Sequence, residues 1–239
     1  LFGVNIHDYY LDIDTQIDVQ TRGMQWRLDN LNDDFCGGGL HYDAGPVAEG
    51  LVFDCEVVHP DLTSPRIVHF IETAEQIHEL ELIDPRDNPR VQAHLKKGQA
   101  FNDRVKELGL NYATSQPRIG VHPPISCATA IADANWVYMM LSIDPELMRV
   151  FFEKCDRAFR MCYEYSHELH GTTPGDHFGL ADDNSAFVSD PMYREQVLPF
   201  NLKLYQDYGK KSRSLHADGP NQHHYETYAH IIKLTRMDI

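Results

Sequence analysis

Short segments with strand character alternate with longer helical segments along most of this chain, and this alternation constrains the fold more than any other feature of the sequence. Apolar runs bounded by turn residues predict strands at 51–58, 67–70, 118–122, 177–181 and 212–216. The spacing of apolar residues predicts helices at 12–31, 73–82, 88–109, 144–171, 190–209 and 221–234. Strands that alternate with helices form βαβ units with right-handed crossovers, so the predicted class is α/β with a parallel sheet.

The clearest helix boundaries lie at two prolines. Asn88 and Pro89 are the residue types preferred at the N-cap and at the first helical position, and Asp144 with Pro145 repeats the pattern. Gly171 predicts the end of the helix that begins at Pro145. The apolar side of this longest helix consists of Leu147, Phe151, Cys155, Ala158, Cys162 and Leu169.

Motifs that bind phosphate do not follow any of the predicted strands. Neither G-x-G-x-x-G nor G-x-x-x-x-G-K-[ST] occurs there, which removes the main signals for dinucleotide and P-loop proteins. Spacing alone does not separate an open sheet from a barrel, but the missing motifs favour a barrel. The chain starts at Leu1 without a methionine and residues 236–238 have the pattern of a further strand, so we expect it to be an excerpt.

Composition limits the cellular context. A chain of 239 residues is long enough for one sizeable domain, and a formal net charge of -15 argues against nucleic-acid binding, which needs clustered Lys and Arg. The five cysteines lack metal-knuckle spacing, and we expect Cys155 and Cys162 to be small core residues. No segment resembles a signal peptide or approaches the roughly 18 apolar residues of a membrane span. We therefore expect a cytoplasmic protein with no membrane partner.

Ionisable residues follow three of the predicted strands. His122 ends the first, Asp182 and Asp183 follow the second, and His216 and Asp218 end the third. In a parallel barrel these strand ends surround one mouth, where active sites are built. A neutral imidazole and a carboxylate can hold one divalent metal, or act as a base and its orienting partner.

Each of these residues also has a structural interpretation. The segment containing His216 and Asp218 could be a turn closed by Gly219, and His122 could belong to a rigid turn with the two prolines that follow it. Asp182, Asp183 and Asn184 could cap a helix or bond to a turn. For His223 and His224 we expect a solvated helix surface.

Several segments together resemble the uroporphyrinogen decarboxylase superfamily. They are G-L-A-D-D-N-S-A-F-V-S-D-P at 179–191, V-L-P-F at 197–200 and L-H-A-D-G at 215–219. Upstream, P-P-I-S-C-A-T-A at 123–130, followed by D-P-E at 144–146, is similar to the superfamily's segment after an early barrel strand. The resemblance implies a (β/α)8 TIM-type barrel that is incomplete at its C-terminus, with residues 1–239 forming a single domain.

The superfamily includes zinc-dependent methyltransferases that pass methyl groups between a donor, a corrinoid protein and a thiol. Their H-x-C-G zinc motif is matched here by His216 and Gly219, whereas Asp218 stands in place of the cysteine. The resemblance thus implies a methyltransferase with a metal, expected to be zinc, on His216 and Asp218. Asp182 or Asp183 would accept a proton, contact the substrate or supply the third ligand, unless that ligand lies beyond the C-terminal residue. His122 would contact the substrate.

Two alternatives remain open. A metal-free decarboxylase acting on a tetrapyrrole would need arginines such as Arg66, Arg118 and Arg213 in its pocket, and the superfamily's Arg-rich and F-x-x-D-I-L segments are not found here. A non-catalytic barrel that only binds a ligand would have an apolar strand-end mouth. The expected partners are a small-molecule methyl donor or a tetrapyrrole-type ligand, together with a corrinoid protein.

Overall fold

The computed structural model describes residues 3–31 and 38–238 of the chain. Helices dominate, and most begin at a side chain that caps their first turn. The α-helices are α1 (Ile6–Leu11), α2 (Ile13–Asn30), α3 (Ala48–Val52), α4 (Ala74–Glu79), α5 (Pro89–Glu107), α6 (Pro124–Ile131), α7 (Ala134–Ile143), α8 (Pro145–Leu169), α9 (Asp190–Met192), α10 (Leu198–Tyr208) and α11 (Tyr225–Thr227). A π-helical turn, Tyr193–Val197, joins α9 to α10, and 3₁₀ and π turns, Gln222–His224 and Tyr228–Ile232, extend α11 on either side.

The described strands form two small sheets. They are β1 (Val57–Val58), β2 (Arg66–Ile67), β3 (His177–Ala181), β4 (Ser212–His216) and β5 (Arg236–Asp238). The first two strands pair antiparallel, whereas the last three form a parallel sheet in the order β3-β4-β5. Isolated parallel bridges join Leu40 to Thr114 and Ile71 to Ala132. The fold is therefore mixed α/β, and within 3–31 and 38–238 the strands do not close into a barrel.

The second half of the chain follows the sequence prediction closely. β3 and β4 have the predicted bounds, the predicted further strand is β5, and the helix predicted at 190–209 is the α9–α10 segment with its π turn. In the first half, α2 and α5 lie where they were expected, and Asn88 accepts hydrogen bonds from the backbone of Arg90 and Val91 as the predicted N-cap. Part of the loop predicted over the glycine run at 37–39 lies outside the described residues.

The strand predicted at 51–58 is wrong. Ala48–Val52 is the short helix α3, Asp54 takes a left-handed conformation with φ 56°, and only Val57–Val58 is extended in a sheet. An apolar run of this length is compatible with either a strand or a short helix, and packing against the core selects the helix here. Val52 and Phe53 are both buried.

The strand predicted at 118–122 is wrong: this segment belongs to no strand and pairs with no strand among the described residues. Its backbone is instead bonded by side chains: Ser166 Oγ accepts from Ile119 N at 3.1 Å and donates to Ile119 O at 2.7 Å. Glu49 accepts a hydrogen bond from His122 N at 2.7 Å. Buried backbone groups need partners, and here helices α8 and α3 supply them in place of a neighbouring strand.

Helices α6 and α7 were not predicted. Their apolar residues cover almost the whole circumference, so no amphipathic period marks them. All of α6 except Ala130 is buried, and it packs against α8, whose predicted inward residues Leu147, Phe151 and Ala158 are also buried. Cys155 and Cys162 are fully buried core residues, as expected. In the part of the chain that the structure describes, no helix is long and apolar enough to cross a membrane.

Candidate metal centre

The parallel sheet brings the ends of its three strands side by side. Ala181 is in register with His216, and His216 with Asp238. The residues that follow β3 therefore lie beside the last residue of β4. Asp182 N donates a hydrogen bond to His216 O at 2.9 Å, which continues the pairing past the end of β3.

Carboxylates surround both ring nitrogens of His216. Its Nε2 lies 4.0 Å from Asp183 Oδ1 and 3.8 Å from Asp218 Oδ1. Its Nδ1 lies 3.4 Å from Asp238 Oδ2. Metal-binding histidines commonly donate the proton of one nitrogen to a carboxylate, which leaves the lone pair of the other for the ion. The surroundings of His216 fit that pattern, in which Nε2 would be the ligand atom and Nδ1 would donate to Asp238.

The loop after β4 fixes Asp218 beside Asp183. Asp218 N donates to Asp183 Oδ1 at 2.8 Å. Gly219 has φ +89°, which allows the chain to turn directly after Asp218. The side chain of Asn221, almost fully buried, donates to carbonyl groups of the same loop, including Asp218 O at 3.1 Å. The turn considered from the sequence is therefore present, and it holds the carboxylate and the imidazole together.

Asp183, His216 and Asp218 offer donor atoms of the types that hold a divalent metal. One ligand atom from each of the three residues can be chosen so that all lie within 4.8 Å of one another. Two ligands of one ion, each bonded at about 2.0–2.2 Å, are separated by about 4.4 Å at most, so the side chains must move closer before all three can contact one ion. One imidazole and two carboxylates form a donor set that suits zinc and harder divalent ions.

Asp182 has a different position from Asp183. It is buried, and its carboxylate accepts hydrogen bonds from Ser126 Oγ at 2.8 Å, Ser185 Oγ at 2.6 Å and Asn201 Nδ2 at 2.7 Å. Burial raises the pKa of Asp182, and these three hydrogen bonds offset part of that effect. Asp182 thus anchors the start of the 3₁₀ turn Asp183–Phe187 to helices α6 and α10.

His122 forms a pair with a residue that the sequence analysis did not select, Glu49. The Nδ1 of His122 donates to Glu49 Oε1 at 2.7 Å, and the same oxygen accepts from His122 N. The side chain of Glu49 is 1% exposed and that of His122 is 41% exposed. The hydrogen bond to Glu49 raises the pKa of His122, with further contributions from Asp183 and Asp182, whereas burial lowers it. The only sequence signal for Glu49 is a single acid within the largely apolar stretch at 47–53.

Asn184 and the pair His223 and His224 are not part of the carboxylate cluster around His216. His224 is fully buried, contrary to the expected solvated surface, and faces Asp190 Oδ1 and Ser185 O at 3.0 Å each. Asn184 accepts a hydrogen bond from the hydroxyl of Tyr138 at 2.8 Å. His223 is exposed, with its Nε2 2.8 Å from Val188 O.

The three arginines considered for a decarboxylase pocket do not converge. Arg213 lies on β4 and donates to Gly209 O and Ile232 O. Arg118 lines a separate cavity of about 480 Å³, and Arg66 is exposed on β2. None of the three belongs to the carboxylate cluster around His216.

No protein-family model and no curated protein matches this chain. Among solved structures, the fold is similar to that of a methyltransferase from Methanosarcina mazei, with a TM-score of 0.61 and 11% sequence identity. The match covers 93% of this chain and 62% of that protein, so the chain spans about three fifths of the neighbour's length. At this identity the likeness concerns the fold.

Proposed function

We propose that this chain carries the active site of a methyltransferase that uses a divalent metal, zinc in the first instance, held by Asp183, His216 and Asp218. The observation that carries the proposal is the cluster itself: an imidazole at a parallel strand end faces two carboxylates with one nitrogen and a third carboxylate with the other. Strand ends of parallel α/β proteins are where catalytic residues gather. The resemblance of the sequence and the fold of the structural neighbour both support methyl transfer as the reaction class.

The proposal includes the architecture of a (β/α)8 barrel around the described sheet. The parallel order β3-β4-β5 and the two parallel bridges elsewhere in the chain support it. In such a barrel His122, at the end of the segment that precedes α6, faces the same mouth as the strands that lead to Asp183 and His216. The contribution of Asp183 to the pKa of His122 is consistent with that placement.

When bound, the metal supplies Lewis acidity to the atom of the methyl donor or acceptor that it contacts. Asp218 stands where the superfamily motif has a cysteine, and an oxygen ligand donates less charge to zinc than a thiolate does. The site therefore retains more Lewis acidity and is less suited to activating a thiol. Asp238 orients His216, and Asp182 fixes the backbone that presents Asp183.

The pair of Glu49 and His122 supplies the proton in this proposal. A buried carboxylate favours a cationic partner, so Glu49 stabilises the imidazolium form of His122 and leaves its Nε2–H for the substrate. During transfer the bond between the methyl group and the donor atom breaks, and its electron pair stays on that atom. His122 gives its Nε2 proton to the departing atom while the methyl carbon bonds to the acceptor.

A corrinoid on a partner protein is the acceptor that we propose. The side chains of Asp183, His216 and Asp218 are 40%, 47% and 72% exposed, so the cluster is open to a large planar group. A small methyl donor then occupies the space between the metal ligands and His122. Placement of the methyl group in line with its acceptor is the main demand on such a site.

The test measures zinc content, zinc affinity and methyl transfer in the intact protein. His216→Ala removes the central ligand and is expected to abolish zinc binding together with methyl transfer from a small donor to the corrinoid acceptor, measured as methylation of cob(I)alamin. His230→Ala is the matched control, because His230 is an exposed histidine of the π turn Tyr228–Ile232 that pairs with Glu226 away from the cluster. Asp218→Cys is expected to hold zinc at least as tightly as the native protein, since thiolate is the better zinc ligand.

Two outcomes contradict the proposal. Full activity in the metal-stripped protein or in His216→Ala would exclude the metal role. Zinc affinity that is equal in the native protein, His216→Ala and His230→Ala would place the ion elsewhere.

A further inference from the structure

A separate cavity, remote in sequence from the strand-end cluster, is lined by basic side chains. It has a volume of about 290 Å³ and lies between the N-terminal segments and helix α5. We call it the α5 cavity. Its charged or titratable lining residues other than tyrosine are His59, Arg90, His94 and Lys97. No residue of β3, β4 or β5 lines it.

The charge of the α5 cavity is opposite to that of the chain. Asp and Glu outnumber Lys and Arg by 36 to 21 in the sequence, yet no carboxylate is among the residues that line this cavity. Asp43 lies between the lining residues Tyr42 and Ala44, and Asp54 contacts the lining residue Arg90, but neither carboxylate lines the cavity itself. Asp43 already accepts hydrogen bonds from Tyr9 OH and Gly45 N, and Asp54 pairs with Arg90. The lining thus carries two cationic side chains, Arg90 and Lys97, and no carboxylate, on a protein that is acidic overall.

The cation of Lys97 is available to a ligand. Lys97 makes no ion pair or hydrogen bond to the described residues, whereas Arg90 is held by Asp54 Oδ1 at 3.1 Å and by Cys55 O. The charge of Lys97 contributes to lowering the pKa of both His59 and His94, after the larger effect of burial. Lys97 and both imidazoles line the same cavity, so an anion bound there would meet donors from more than one side chain.

The rest of the lining is apolar and aromatic. The rings of Tyr42 and His94 are in contact and tilted by 51°, with their centroids 5.5 Å apart, and Tyr10 contributes a second phenol ring. The aliphatic wall consists of Ala44, Val47, Leu51, Val57 and Ala93. A cavity with a cationic end and an apolar wall recognises a ligand that has a charged group and an apolar body.

We propose that the α5 cavity binds a small organic carboxylate, with Lys97 contacting the carboxylate group and the tyrosine and aliphatic wall contacting the body. The volume of about 290 Å³ lies at the small end of ligand sites and is too small for a tetrapyrrole or corrinoid. This site is independent of the metal centre, and its ligand is a different molecule from the corrinoid acceptor. Inorganic anions lack the apolar body and bind more weakly.

The test uses benzoate as the probe on the intact protein, with calorimetry or backbone amide NMR shifts as the readout. Benzoate is expected to bind saturably at one site, and benzyl alcohol, which has the same ring without the charge, is expected to bind far more weakly. Lys97→Gln removes the free cation and is expected to weaken benzoate binding about tenfold or more. Lys96→Gln is the matched control, because Lys96 precedes Lys97 on the exposed side of α5 and does not line the cavity.

A second variant tests the location. Ala93→Phe fills the cavity from its wall and is expected to abolish benzoate binding without changing zinc affinity at the metal centre. Absence of saturable benzoate binding to the native protein would overturn the proposal. Benzoate affinity that is unchanged in Lys97→Gln, or that survives Ala93→Phe, would overturn it as well.

Discussion

At the scale of single residues, the two ring nitrogens of His216 have different surroundings and therefore different roles. Nδ1 faces Asp238, and Nε2 faces Asp183 and Asp218. The two ring nitrogens of His122 also differ in their surroundings: Nδ1 donates to Glu49, whereas Nε2 makes no hydrogen bond to the described residues. A carboxylate thus sets the orientation of each imidazole, and the second nitrogen remains for chemistry.

The pair of Glu49 and His122 predicts a pH-dependent contribution to stability. The pKa of His122 is raised in the folded protein, so the contribution is fully present below the unfolded-state pKa of about 6.5 and is lost as pH rises through the folded-state pKa. Glu49→Gln is therefore expected to lower the free energy of unfolding most on the acidic side, with a difference that narrows above the folded-state pKa. Urea unfolding of the native protein and of Glu49→Gln at a series of pH values measures this difference in the free energy of unfolding.

The control for this prediction is Glu226→Gln. Glu226 also pairs with a histidine, His230, at 3.2 Å, but its side chain is 82% exposed. Exposed ion pairs contribute little, so the two unfolding curves of this variant and the native protein are expected to coincide at every pH. A Glu49→Gln effect that is independent of pH would show that His122 does not carry the charge assigned to it.

At the scale of elements, Asp182 joins three parts of the structure. Its hydrogen bonds come from Ser126 on α6, Ser185 in the 3₁₀ turn Asp183–Phe187 and Asn201 on α10. The turn that presents Asp183 to His216 is therefore held from both sides. The two successive aspartates differ in their surroundings, since Asp182 has three buried donors and Asp183 is half-exposed beside His216.

Asp182→Ala is expected to lower the free energy of unfolding by about 3 kcal/mol, because it leaves three buried donors without their acceptor. Asp183→Ala is the matched control: its carboxylate is 40% exposed, and the expected loss is less than about 1 kcal/mol. Zinc affinity should fall in both variants, directly in Asp183→Ala and through the displaced turn in Asp182→Ala. Equal stability losses would refute the distinction between the two residues.

At the scale of the whole molecule, one large apolar core connects α3, α5, α6, α8, α10 and the parallel sheet. Phe151 on α8 is fully buried in this core, and Phe187 is 66% exposed.

Phe151→Ala is expected to lower the free energy of unfolding by about 3–5 kcal/mol, because it removes buried surface and leaves a cavity. Phe187→Ala, with the same chemical change at the surface, should cost about 1 kcal/mol or less. Denaturant unfolding of both variants checks the difference, and similar losses would argue against the packing of α8.

The closeness of Asp183, His216 and Asp218 was more predictable than the contacts around them. The three residues were selected because each ends or follows a strand whose bounds depend on a local pattern of buried and exposed residues, and whether they hold a metal stays a prediction. Glu49 was not selected, because its importance comes from a hydrogen bond to a residue 73 positions away. The strand predicted at 118–122 failed for a related reason, since the partners of its backbone are side chains of distant helices.

The sequence by itself determined the elements whose signals are local. Caps, apolar periodicity and turn residues placed α2, α5, α8, β3 and β4, since these signals act between residues a few positions apart. Only the tertiary structure decided the form of short, largely apolar segments such as α3 and α6, because burial on most sides leaves no period to read. It also decided which carboxylate is buried and which is exposed at Asp182 and Asp183. That choice depends on the donors that α6 and α10 bring to one of them.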